Sequence, residues 1–228
     1  MSGNPFYSRE DISKIVSYAG GKGMQVIPEF EMPGHCDGWG YFFPKIVSGR
    51  FDRNNPVAEF NLTYPDTYRI LAHFLVEFMP LFSDGRVHLG ADEVSGSWPD
   101  SNPNQTFTNF ENIFILNLVK AFKKTPILWE DPITEKGLAI SKEFTIQLWR
   151  DSTSVSSMLS KGYKTIISTA NTWYIGNATP EKINAYTFPN NSLLKGAELV
   201  WFTSQGDDPN DLSWLVPVIR AAGIKMAA

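Results

Sequence analysis

Two neighbouring carboxylates, Asp92 and Glu93, close the run R-V-H-L-G-A-D-E from Arg86 to Glu93. A pair of acids held in one pocket can divide the work of proton transfer, one group giving and taking the proton while the other's charge tunes it. Val87–Leu89 reads as a short strand, and regular strand geometry would aim Asp92 and Glu93 at opposite faces. To serve one pocket they must sit where the strand ends and the backbone turns, the place where barrels of parallel strands carry their reactive residues. On the dipeptide alone, a solvated turn or a first helical turn is the commoner meaning. The apolar lead through His88 and the small Gly90-Ala91 step tilt the balance toward a site, because small residues admit a closely approaching ligand or backbone.

Other candidates sit at similar places. The Gly/Pro loop E-M-P-G-H-C-D-G-W-G holds His35, Asp37 and Trp39, while Trp129, Trp149, the Trp173-Tyr174 pair and Trp201 each lie at or just beyond an apolar run. His35 fits either a hydrogen-bonded network supporting the acids or a loop-stabilising role. Trp39, Trp98 and Trp214 read as packing residues, His73 as a structural or solvated helix residue, and Cys36 as a buried, inert thiol. One cysteine excludes an intrachain disulfide, and three dispersed histidines with no H-E-x-x-H spacing give no metal site.

The chain has 228 residues, 43% of them hydrophobic, enough for a full-sized core in one domain spanning residues 1–228. A net charge of −4 without a basic stripe argues against nucleic acid as a partner. Aromatics make up 14% with seven Trp, which suits a pocket for a ring with apolar faces. No run reaches transmembrane length and the first ten residues carry no apolar export segment. N-x-S/T sites at Asn61, Asn104, Asn177 and Asn190 nevertheless point to a secreted or lysosomal origin.

The elements that must position these residues alternate. Ser8 with Asp11 caps a helix whose face is Ile12, Ile15, Val16 and Ala19, and Gly20, Gly21 and Gly23 end it. A strand is expected at Met24–Phe30, a helix at Pro65–Leu81, then the strand into the acid pair. Beyond an irregular segment from Trp98 to Asn109, a helix is expected at Phe110–Phe122 and strands at Pro126–Trp129 and Phe144–Trp149. A helix at Ser152–Lys161, a strand at Lys164–Ser168, a strand near Gly196–Trp201 and a helix at Asp211–Ala222 complete the chain. About six strand-then-helix units of this kind imply parallel strands with crossover helices, and aromatics at several strand ends favour a closed barrel over an open sheet. No G-x-G-x-x-G follows a strand, so no dinucleotide cofactor is expected.

H-L-G-A-D-E-V, with Trp98 and S-N-P downstream, resembles the signature of the family 20 glycoside hydrolases, the β-N-acetylhexosaminidases, usually H-x-G-G-D-E. V-I-P-E-F-E-M-P-G-H resembles that family's third strand and loop, L-W-E-D the fifth strand end, I-Q-L-W-R-D-S the sixth, T-W-Y-I-G the seventh and G-A-E-L-V-W the eighth. The resemblance implies a TIM-type (β/α)8 barrel whose first two strands have no counterpart in this chain. It also implies a retaining exo-hydrolase acting on N-acetylhexosamine glycans without metal or cofactor, in which the substrate's own acetamido oxygen is the nucleophile. On that resemblance Glu93 is the acid and base, Asp92 orients the acetamido group, Tyr174 donates to its oxygen, Trp129, Trp149 and Trp173 wall the methyl pocket, and Trp201 lies under the sugar.

Departures accompany the matches. The arginine that grips the sugar's outer hydroxyls is absent with the first strands, Glu31 stands where the family usually has Asp, and Ala91 replaces a glycine. Gly176 and Thr203 stand at or near positions usually acidic, and G-A-E-L-V-W is one residue short. Two readings follow: an exo-hexosaminidase, or a member that binds acetamido sugars without turnover or needs a second chain, as a homo- or hetero-dimer, to close its open edge.

Overall fold

The computed structural model describes residues 7–50, 57–202 and 212–227. The chain divides into two compact units, Met1–Glu143 and Phe144–Ala228.

The first unit opens with helix α1, Arg9–Gly21, started by the expected reciprocal cap in which Ser8 Oγ accepts from Asp11 N while the Asp11 carboxylate accepts from Ser8 N at 2.9 Å. Instead of a regular strand at Met24–Phe30 the chain makes a single parallel bridge, Glu29 to His88. Pro28 accepts from His88 N at 2.9 Å but has no N–H to return, so the ladder stays short. After the short helix α2, Asp37–Gly40, an antiparallel hairpin joins β1, Val47–Arg50, to β2, Val57–Phe60. The sequence reading has no such hairpin, which lies outside the strand-then-helix rhythm. Helix α3, Pro65–Phe78, begins on a proline at its first position and buries Leu71 and Leu75 completely. Its Phe74 ring packs edge-on against Phe30 at 5.1 Å, which fixes the segment running toward the His35 loop. A 3-10 turn at Met79–Leu81, containing Pro80, replaces the expected last turn of the helix.

Strand β3, Arg86–His88, pairs in parallel with β4, Thr125–Trp129, in the register Val87 to Pro126 and His88 to Ile127. Between them the helical segment starts earlier than expected, at Pro103, because Asn102 caps it by accepting from Gln105 N at 3.3 Å with proline next in line. It continues as α4, Pro103–Asn109, a π-helical stretch Phe110–Ile115, and α5, Leu116–Ala121. The short helix α6, Asp131–Thr134, follows β4 directly.

In the second unit β5, Thr145–Leu148, β6, Lys164–Ile167, and β7, Leu194–Ala197, run parallel in that order. Helix α7, Val155–Ser160, capped by Ser154, makes the first crossover; α8, Ala170–Trp173, and α9, Pro180–Ala185, make the second. A bulge sets Thr165 opposite Leu194 but Ile166 opposite Gly196, whose φ of +127° only glycine adopts without strain. Helix α10, Leu215–Ala227, packs Leu215, Val218, Ala221 and Ala222 into a core with Ile167, Ile175 and Ile183. Asp211, the expected start of that helix, lies outside the described residues, as does Thr203. Among the described residues five parallel strands therefore stand where about six were expected, the Glu29 bridge taking the place of the other.

Candidate active site

Both acids lie just past the end of β3, and the backbone there breaks the strand's alternation. Gly90, Ala91 and Glu93 adopt positive φ angles of +68°, +75° and +53°. Left-handed residues turn the chain instead of extending it, so Asp92 and Glu93 can face the same way. Their common neighbour is His35, itself at φ +49° in the Pro-Gly-His loop: Nε2 lies 3.3 Å from Asp92 Oδ2 and 3.5 Å from Glu93 Oε2. The hydrogen bond to Asp92 raises the imidazole's pKa, with the charges of Asp92, Glu93 and Asp37 adding to it against a lowering from partial burial. The Glu93 side chain is 55% exposed and that of Asp92 21%. An open acid beside a more enclosed one suits a division in which Glu93 meets solvent and leaving group while Asp92 holds something still.

Behind Asp92 lies a group of carboxyls. Glu29 and Glu31 project to the same side of their segment, as residues two apart in extended chain do. Glu29 Oε1 sits 3.0 Å from His88 Nδ1 and accepts the indole N–H of Trp129 at 2.9 Å. Burial alone would raise the Glu29 carboxyl, but these donors hold it below its ordinary range. Glu31 goes the other way, pushed up to about 9 first by burial and then by the charges of Asp92 and Glu29. Its Oε2 and Asp92 Oδ1 are both buried without a hydrogen-bond partner if every carboxyl is ionised. A proton on Glu31 supplies the missing donor, so this group stores a proton at neutral pH. Gly90 makes room for it: a Cβ there would overlap the Glu31 carboxyl and approach its Cα to 3.3 Å.

Of the expected site residues, Glu93, Asp92 and His35 are brought together, while the buried Trp129 donates to Glu29 and meets His88 edge-to-face at 5.1 Å. In the second unit Trp149 follows β5 with the Arg150 guanidinium 4.3 Å over its ring. Tyr174 bridges in parallel to Val200, next to Trp201, which meets Trp214 edge-on at 6.3 Å. Trp173 departs from the expected pocket wall. Its ring has 0% exposure, stacked on Phe188 at 5.8 Å and against Tyr186 at 5.5 Å, so it belongs to that unit's core. Trp39 and Trp98 pack as expected, and burial pushes the Cys36 thiol far above its usual range, which leaves it inert. His35, Asp92 and Glu93 are also the described residues that could together reach a cation, their ligand atoms lying within 4.8 Å of one another.

Three contributors were absent from the expected set. Asp131, just past Trp129, accepts from the Glu93 amide at 3.2 Å; Glu59 accepts from the loop behind the acids; Glu29 anchors His88 and Trp129. Two acids in the apolar run V-I-P-E-F-E are a signal for Glu29, since buried carboxylates are seldom idle. Nothing local marks Glu59, whose partners lie 36 to 38 residues away.

Residues 1–207 match the family model for the glycosyl hydrolase family 20 catalytic domain. The chain is 29% identical to beta-hexosaminidase subunit A1 of Dictyostelium discoideum, covering 96% of this chain and 46% of that one. It is 28% identical to the human beta-hexosaminidase subunit beta over 74% of this chain and 34% of that one. The chain thus spans less than half the length of these curated relatives. Among solved structures it resembles a chitobiase from Flavobacterium johnsoniae (TM-score 0.80, 24% identity, 97% of this chain and 38% of that one). It also resembles an exo beta-N-acetylglucosaminidase from Vibrio harveyi in complex with N-acetylglucosamine (TM-score 0.81, 19% identity, 97% and 41%). These likenesses show the fold, part of a (β/α)8 barrel.

Proposed function

This chain belongs to glycosyl hydrolase family 20, and on that premise we propose that it serves an exo-β-N-acetylhexosaminidase removing terminal N-acetylglucosamine or N-acetylgalactosamine with retention. The observation that carries the reading is the turn of left-handed residues that directs Asp92 and Glu93 to one imidazole. Glu93 gives its proton to the glycosidic oxygen as the acetamido oxygen of the same sugar bonds to the anomeric carbon. The leaving group departs as an alcohol, and an oxazolinium-like ring remains. Asp92 accepts the acetamido N–H and balances the positive charge that ring acquires. Water then adds to the anomeric carbon, giving its proton to Glu93, and the acetamido group is regenerated. In this proposal Tyr174 donates to the acetamido oxygen, while Trp129, Trp149 and Trp201 offer planar apolar faces to the sugar. The substrate is a glycan, the setting secreted or lysosomal, and association with a second chain part of the working form; no described helix is long and apolar enough to cross a membrane.

Release of a chromophore from an aryl N-acetyl-β-glucosaminide tests the reading. Turnover by the wild-type chain, lost by about a thousandfold in Glu93→Gln, is the expected result. Tight binding of an acetamido-thiazoline inhibitor with no turnover by the wild type would instead identify a sugar-binding module.

A further inference from the structure

Behind the acid pair the chain runs Val94-Ser95-Gly96-Ser97, a loop with exposed serines whose amides nevertheless point inward. They point at one side chain, Glu59, the middle of strand β2 and 3% exposed. Its Oε2 accepts from Gly96 N at 3.0 Å, Ser97 N at 2.9 Å and Ser97 Oγ at 3.1 Å, and its Oε1 accepts from Ser95 N. Four donors on one buried carboxylate satisfy its lone-pair sites, and a loop so held has lost the freedom to wander. The same strand also holds the loop bearing His35. Ala58 O accepts from Cys36 N at 3.2 Å, Ala58 N donates to Asp37 Oδ1 at 3.2 Å, and Phe60 N donates to Pro33 O at 2.8 Å. Strand β2 therefore grips both loops of the site, one by backbone and one by Glu59.

We infer that Glu59 is a positioning residue: by clamping the amides of Ser95–Ser97 it fixes the exit of the acid turn and so the placement of Glu93 against His35. For catalysis the inference rests on the hexosaminidase reading, since it supplies the reaction that a displaced Glu93 would slow. The clamp itself does not depend on that reading.

Glu59→Gln tests it, because glutamine keeps the shape but turns one oxygen into an NH2 group. Whichever way the amide faces, a donor then meets a donor at Ser95 or at Gly96 and Ser97. Three readouts are expected to move together in the purified chain. Hydrogen exchange across Val94–Trp98 speeds up by about tenfold or more while that of α3 stays as it was. The His35 titration, followed by NMR, shifts down toward the ordinary imidazole value as its anionic neighbours swing away. Turnover of the aryl glycoside falls about tenfold to a hundredfold in kcat with KM held within about twofold, the split expected of a misplaced acid rather than of lost binding or lost fold. Unchanged loop exchange together with an unchanged His35 titration would overturn the inference whatever the turnover. A wild-type chain that does not turn over, yet shows both shifts on Glu59→Gln, would sink the hexosaminidase reading and leave the clamp standing. If Glu59→Gln does not fold, Ser97→Ala removes a single donor and carries the same test with smaller shifts in the same direction.

Discussion

Glu111 offers a direct measurement of how this chain tolerates a buried acid. It lies in the π-helical stretch with 0% exposure, and neither carboxyl oxygen has a hydrogen-bond partner. Burial raises its pKa well above the ordinary 4.5. Such a group folds in its neutral form, so its contribution is intact below pH 4.5 and is lost as pH rises toward the folded pKa. In that interval the unfolded chain has released the proton and the folded chain has kept it, which costs about 1.4 kcal/mol per pH unit. Each pH unit within that interval is a sizeable share of the stability of an ordinary domain. Glu111→Gln removes the titration and keeps the shape; Glu111→Met also removes the polar burial. Urea denaturation of each protein at pH 4.5 and at steps above it gives the comparison. Relative to Glu111→Gln, wild type should lose about 0.5–0.7 M in midpoint for each pH unit within that interval, at an m of about 2–3 kcal/mol per molar. Glu111→Met should show the same pH profile as Glu111→Gln from a starting point about 1–3 kcal/mol more stable. Parallel pH profiles for wild type and Glu111→Gln would mean that Glu111 does not fold as a buried neutral acid.

Gly90→Ala should destabilise by about 2–4 kcal/mol, since a side chain at φ +68° is strained and the new methyl overlaps Glu31; a thermal midpoint within about 1 °C of wild type would contradict this. The stability that His35 gains from Asp92 should be complete below pH 6.5 and fade as pH climbs through its raised pKa, the sign for a cation that gains a partner. With a half-exposed imidazole the effect is screened to about 1 kcal/mol or less, and His35→Gln should lose it; an advantage of wild type that grows toward alkaline pH would have the wrong sign.

Much of the site could be read from the sequence because its signals are local. Gly90 and Ala91 before two acids announced a turn, and the structure makes that turn from left-handed residues. The strands at 125–129, 145–148 and 164–167 fall where their apolar runs end on polar or aromatic residues. Where helix boundaries moved, a local rule was missed. Asn102-Pro103 is a cap followed by a favoured first residue, and starting the helix at Phe110 hid the row Phe107, Glu111, Ile115, Val119, every member buried. That spacing would have put Glu111 inside from sequence alone.

The rest depended on partners distant in the chain. The family resemblance made Trp173 a pocket wall, but a motif gives a residue's type and place in the chain and not its neighbours, and the fold sets its ring in the core against Tyr186 and Phe188. Glu59 looked like one more polar residue on a short strand; only the fold brings the amides of residues 95–97 to it. Residue types and local turns by themselves put two acids at a strand's end, where a turn could give them a common face. Only the packed chain decided which carboxyl stores a proton, which anchors an indole and which holds the loop, because burial and the charge of neighbours set those properties.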